Sequence, residues 1–337
     1  MPENADSPEQ RYQPEHTGMY ELEFPAPQLS SADGRGPVML HALEGFSDAG
    51  HAIRLATEHL KDTLDTELVA SFAIDELLDY RSRRPLMTFK TDHFTKYEDP
   101  ELNLYALHDS VGTPFLLLAG LEPDLRWERF ITAVRLLAER LGVRQVIGLG
   151  SIPMAVPHTR PVTLTAHSNN KELISEHPPW VGEIQVPGSV SNLLEFRMAQ
   201  HGQEVVGFTV HVPHYLAQTA YPPAAEALLA EVARTGSLNI PLNGLAEAGS
   251  EVRDKINEQV EASSEVAQVV TALERQYDAF VAAQENRSLL ARDEDLPSGD
   301  ELGAEFERFL AQQAGEKFKD DKYKDGFGDG DADSDDH

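Results

Sequence analysis

Residues 115–149 run FLLLAGLEPDLRWERFITAVRLLAERLGVRQVIGL. Phe115 to Ala119 is an unbroken apolar run, which predicts a strand buried on both faces. Phe130, Val134, Leu137 and Leu141 recur at helical spacing, so residues 126–141 are expected to form a helix with one apolar face. Gly142 stands where a C′ glycine would end it. Val143 to Leu149 is a second apolar run. A strand, a helix and a strand joined by short connectors make a crossover, so at least part of the sheet is parallel.

The same alternation extends in both directions. Upstream, Val38 to Leu43 leads through Glu44-Gly45-Phe46-Ser47-Asp48-Ala49-Gly50 into a helix with Ala52, Ile53, Ala56 and Leu60 on one face. Strands are expected at Leu68 to Ile74, Leu86 to Phe89 and Leu102 to Leu107. Downstream follow a strand at Pro161 to Ala166, a helix at Ser191 to Gln200, a strand at Glu204 to Val212 and a helix at Pro223 to Arg234. Residues 19–242 therefore read as one α/β domain: a mixed, largely parallel sheet with flanking helices. Residues 243–290 read as a helical extension, in which Val266, Val270, Leu273, Tyr277 and Phe280 form an a/d-type seam. That seam either folds back on its own domain or meets another subunit. Residues 291–318 are expected to hold a last helix carrying Leu302, Phe306, Phe309 and Leu310. The polar arm 1–18 and the Asp-rich tail 319–337 are expected to be disordered.

The chain has 337 residues, enough for a large core, and carries 57 acidic against 28 basic side chains, a net −29. Such an excess repels nucleic-acid phosphates and anionic membrane surfaces, so neither is expected as a partner. The 47 residues from Ala291 hold 16 acidic and 6 basic side chains, about a third of that net charge. No run reaches the roughly 18 apolar residues of a membrane helix, and the first residues lack a signal-peptide layout, so a cytoplasmic protein is expected. Cysteine is absent, which removes disulfides, thiolate metal sites and Cys nucleophiles.

Four places invite chemistry. The loop from Glu44 and Gly45 through Asp48 to Gly50 lies between a strand and a helix, as an anion cradle or as a tight turn set by packing. Arg81, Arg83 and Arg84 are clustered in an acidic chain, where they grip an anion or pair with Asp75, Glu76 and Asp79. The segment from Gly150 and Ser151 to His158 and Arg160 leaves the carboxyl end of a buried strand, where crevices form in open α/β sheets. Ser151, His158 and Arg160 could act there as nucleophile, acid/base and anion clamp, although no triad spacing is visible. His211 and His214 could bind a metal, but no third ligand is discernible and no metal site is assigned.

Taken together, Glu44-Gly45-Phe46 with Gly50, Tyr80-Arg81 with Arg84-Pro85, His158-Thr159-Arg160-Pro161, Val186-Pro187-Gly188 and His211 to Tyr215 resemble the proteasome assembly chaperone 2 family. Leu273 to Asp278 and Leu296 to Glu301 resemble its long actinobacterial branch, and the likeness covers about residues 19–312. The resemblance implies a nucleoside-phosphorylase-like fold and self-association. In archaeal and eukaryotic members it implies chaperoning of proteasome subunits. The expectation is a non-enzymatic, cofactor-free homo-oligomer, taken as a trimer, that binds another protein, with proteasome subunits as candidate partners. The rival expectation is a small-molecule site, nucleoside- or phosphate-like, in a crevice shared by Arg81, Arg84, His158 and Arg160.

Overall fold

The computed structural model describes residues 18–24, 27, 29, 34–45, 47–178 and 182–290, with side chains up to residue 283. The expected arm 1–18 lies almost wholly outside the described residues; the expected helix 291–318 and the tail lie entirely outside them. The chain divides into two units, residues 1–179 with 187–283 and residues 180–186 with 284–337, and the sheet and its core belong to the first.

Ten strands and seven α-helices are described. They are β1 Tyr20–Leu22, β2 Val38–Glu44, α1 Ala52–Thr63, β3 Asp65–Phe72, α2 Ile74–Leu77, β4 Met87–Lys90, β5 His93–Tyr97, β6 Leu102–His108, β7 Pro114–Leu121 and α3 Trp127–Arg140. Then come β8 Gln145–Met154, β9 Leu164–Ser168, α4 Val190–Gln200, β10 Glu204–Pro213, α5 Pro222–Gly236, α6 Asn243–Glu261 and α7 Ser264–Leu290. Eight strands form one mixed sheet in the order β1-β3-β6-β7-β2-β8-β10-β9. The central four, β7, β2, β8 and β10, run parallel, and antiparallel strands extend both edges.

The quoted stretch folds as expected, with one refinement: β7 and β8 are parallel but do not touch, because β2 lies between them and pairs with both. Helix α3 closes in a Schellman motif. Gly142 adopts φ +68°, its N–H reaches Glu139 O at 3.2 Å and the Val143 N–H reaches Ala138 O at 2.9 Å.

Helices α1, α5 and α6 cover one face, over Leu40, Leu117, Ile147 and Phe208. Helices α3 and α4 cover the other, over Met39, Leu43, Leu116, Leu118 and Val146. The buried β2 sequence VMLHALE thus sends alternate residues into two cores. The expected helical extension is two helices, α6 and α7, broken at Ala262 and Ser263.

The strand expected at Leu86 to Phe89 does not join the main sheet. Met87–Lys90 pairs with His93–Tyr97 in a separate hairpin whose residues are all exposed. Among the described residues no helix is long and apolar enough to cross a membrane.

Candidate functional site

The carboxyl ends of β2, β7, β8 and β10 gather most of the residues singled out above, but into three separate places. The first is the loop before α1. The Asp48 carboxylate accepts from Ile53 N at 2.8 Å and Arg54 N at 3.3 Å, while Ser151 Oγ donates to Asp48 Oδ1 at 3.2 Å. The Ile53 and Arg54 N–H groups are therefore taken by the chain's own carboxylate, which favours the packing reading of this loop. The glycines answer to packing. A Cβ on Gly45 would fall on the Glu122 side chain, and Gly50, at φ +67°, lies against Tyr221 and Val212. Ser151 is buried, and its Oγ donates to an Asp48 carboxylate that already accepts from the first turn of α1.

The second place is the loop 158–161, where α6 and α7 are clasped. His158 is buried, with Nδ1 2.7 Å from Tyr215 Oη and Nε2 3.1 Å from Asn257 Oδ1 on α6. Arg160 forks onto Asp278 of α7, Nε at 2.8 Å and Nη2 at 2.7 Å, and its Nη1 reaches Glu274 at 3.2 Å. The hydrogen bond and charge of Asp278 hold the guanidinium above its ordinary range, and the same contact lowers Asp278. Tyr277 Oη donates to Pro161 O at 3.3 Å. Both residues expected to act in a crevice are thus tied to helices, because the acidic extension supplies their partners in the same chain. The seam is divided by this docking. Val270 and Leu273 are buried and Tyr277 is half-buried, whereas Val266 and Phe280 are exposed.

The third place is a cleft of about 460 Å³, lined by Glu44, Lys61, Arg84, Glu98, Glu101 and Tyr105 among others, at the base of the hairpin. Arg83 forms its wall, tied to Asp124 at 3.1 Å and to Glu122 O at 3.0 Å. Arg84 has no ion pair with any described residue. Burial and the nearby Asp48 carboxylate raise the Glu44 carboxyl above its ordinary range. An unpaired guanidinium on the lining of a cleft can grip an anionic group. Arg81 is not in the cleft. It is exposed, and its backbone N–H donates to Asp79 Oδ1 at 2.9 Å. The four residues Arg81, Arg84, His158 and Arg160 therefore do not converge.

His211 is held between the Thr163 and Thr165 hydroxyls, each at 2.9 Å, and burial lowers its pKa. Among the described residues no group of three or more His or acidic side chains is placed to hold a metal ion. Sequence reasoning passed over one cluster: His41, Glu195 and His167, buried or half-buried against α4. Its signal was a lone His inside an apolar strand and a lone Glu beside the apolar stripe of a helix.

A model of the PAC2 family matches residues 42–260. The chain belongs to the PAC2 family. Solved structures agree on the PAC2 fold. A Mycobacterium tuberculosis protein of unknown function is 80% identical, covering 83% of this chain and 95% of its own, with a TM-score of 0.80. A Corynebacterium glutamicum protein of unknown function is 44% identical, covering 78% of this chain and 98% of its own, with a TM-score of 0.76. A Mycobacterium tuberculosis proteasome-assembly chaperone homologue is 24% identical over 69% of this chain and 99% of its own, with a TM-score of 0.64, and shares the fold. Comparison with curated proteins returned no match.

Proposed function

We propose that this chain is a non-enzymatic, cytoplasmic PAC2 protein that self-associates, as a trimer by expectation, and binds a further protein, with proteasome subunits as candidate partners. The observation that carries this reading is the hairpin β4–β5. Leu86, Met87, Phe89, Phe94 and Tyr97 are all exposed there, and the Phe89 and Phe94 rings lie edge to face, 5.2 Å apart. A two-stranded hairpin with no sheet or helix packed on it is marginal in water, and a cluster of exposed aromatics marks a contact surface.

Charge favours a second copy as the occupant. Residues 81–97 hold five basic side chains and one acid, a net +4 in a chain of −29. Such an arm is drawn to the acidic body of its own kind. Val266 and Phe280, on the exposed side of α7, are a second candidate contact. Affinity isolation of the tagged chain from native cells at low salt tests the partner. Enrichment of proteasome subunits supports the assembly role, and recovery of self-copies alone removes it.

A small-molecule role is the second reading, and what favours it is the cleft lined by both Glu44 and Arg84. A ligand at 100 times its Kd stabilises the fold by about 2.7 kcal/mol. A thermal-shift screen with nucleosides, nucleotides and phosphate checks this, and a shift unchanged by Arg84→Ala would place the ligand elsewhere.

A further inference from the structure

His41, Gly148, Gly207 and His167 are register partners in one row across β2, β8, β10 and β9. Their chain neighbours Leu40, Ile147, Phe208 and Ala166 all point into the core under α1 and α5, so the row itself faces α4. Its two middle positions have no side chain, and the Glu195 carboxylate enters the gap from α4. A Cβ on Gly148 would fall on Glu195 Oε1, and one on Gly207 would fall on the His167 ring. Glu195 Oε1 lies 3.1 Å from His41 Nε2, and Glu195 Oε2 is hydrogen-bonded to His167 Nε2.

The two imidazoles differ in access. The His41 side chain is 0% exposed, and neither of its ring nitrogens makes a well-aligned hydrogen bond to a described residue, Nε2 meeting Glu195 as a close ion-pair contact only. The His167 side chain is 52% exposed, on the edge strand of the sheet. Val190, Leu194 and Met198 form the stripe by which α4 rests on the core, and Glu195 lies beside its middle. An enclosed carboxylate stays charged only while partners donate to it. Of its two partners, solvent reaches only His167.

We propose that Glu195 and His167 form a proton-operated latch on α4, closed while the edge imidazole is charged and loosened when that imidazole gives its proton to solvent. Electrostatics agree with the geometry. Burial alone would raise the Glu195 carboxyl, but the His167 hydrogen bond and the adjacent His41 ring outweigh it and hold it at about 2. The hydrogen bond to Glu195 raises His167 above 6.5, against the opposing effect of burial.

The sign follows from linkage. The part due to His167, whose folded value is raised, is complete below 6.5 and lost as pH rises through that raised value. The part due to Glu195 is complete above 4.5 and lost as pH falls toward about 2.

The other charged groups around α4 are placed differently. Glu122 accepts from Val190 N at 2.5 Å at the start of the helix, and Glu128 on α3 pairs with Arg197 at 2.7 Å. That pair lowers Glu128 and raises Arg197, so it stays charged across the window. β8 and β10 present only glycine to Glu195, and Glu204, at the start of β10, is bonded by Asn170 Nδ2 at 2.8 Å. Because α4 begins on Glu122, whose carbonyl binds Arg83, the latch lies one helix away from the cleft wall.

Hydrogen exchange and histidine NMR on the full chain, from about pH 5.5 to 8.5, test the latch. His167 is expected to titrate above 6.5 in the wild type and to fall back toward it in Glu195→Gln. Protection of the α4 amides, corrected for intrinsic exchange, is expected to drop through that titration by about tenfold for each unit of raised pKa, while α1 and α5 stay unchanged. In His167→Gln the α4 amides lose this pH dependence. Flat α4 protection in the wild type, or the same pH dependence in His167→Gln, overturns the proposal. His167→Gln, at a half-exposed edge position, carries the test even where Glu195→Gln fails to fold.

Discussion

At the scale of single residues, glycines and acids that look like a binding loop serve packing. Gly148→Ala sets a methyl against the enclosed Glu195 and His41 side chains, and a destabilisation of about 2 kcal/mol or more is expected. Gly207→Ala meets chiefly the His167 ring, which can turn toward solvent, so its cost is expected to be smaller by at least about 1 kcal/mol. Urea unfolding of the two variants side by side checks the order, and equal losses would contradict the enclosure of Glu195. Asp48→Ala removes the carboxylate that caps α1 and is expected to lower stability by about 1 kcal/mol. An unchanged urea midpoint for Asp48→Ala would contradict the cap.

At the scale of elements, much of the fold was legible. The apolar runs of β7, β8 and β10 and the helical spacing of α1, α3 and α5 survive because burial on both faces, or on one stripe, writes a strong period into the chain. What escaped lacks that imprint. β1 has three residues and, among the described residues, pairs only with β3, and β5 lies in a hairpin whose residues are all exposed, so neither carries a burial pattern.

The candidate site was less legible than the fold. His158 and Arg160 were visible as unusual residues in the right loop, but their partners Asn257, Glu274 and Asp278 lie 99 to 118 positions away. Only the docked helices reveal that these contacts are clasps. His41 and Glu195 were visible as polar interruptions, and the strand order is what brings them together. The clasp gives an element-scale prediction. Arg160→Ala is expected to speed amide exchange across the Glu274–Phe280 part of α7 while the denaturation midpoint of the sheet stays put. Unchanged exchange there would show that Val270 and Leu273 hold the helix without the ion pair.

At the scale of the whole molecule, charge and apolar exposure point the same way. An acidic body with one basic, aromatic-tipped hairpin is poorly matched to nucleic acid and well matched to copies of itself. Light scattering on the eluting full-length protein at micromolar concentration tests this most directly. The wild type is expected to show three times its 37.2 kDa chain mass, and the double substitution Phe89→Ser with Phe94→Ser is expected to fall to a single chain with its circular dichroism intact. A wild-type particle of 37.2 kDa, or an assembly indifferent to both substitutions, would contradict the hairpin as the surface through which this protein assembles.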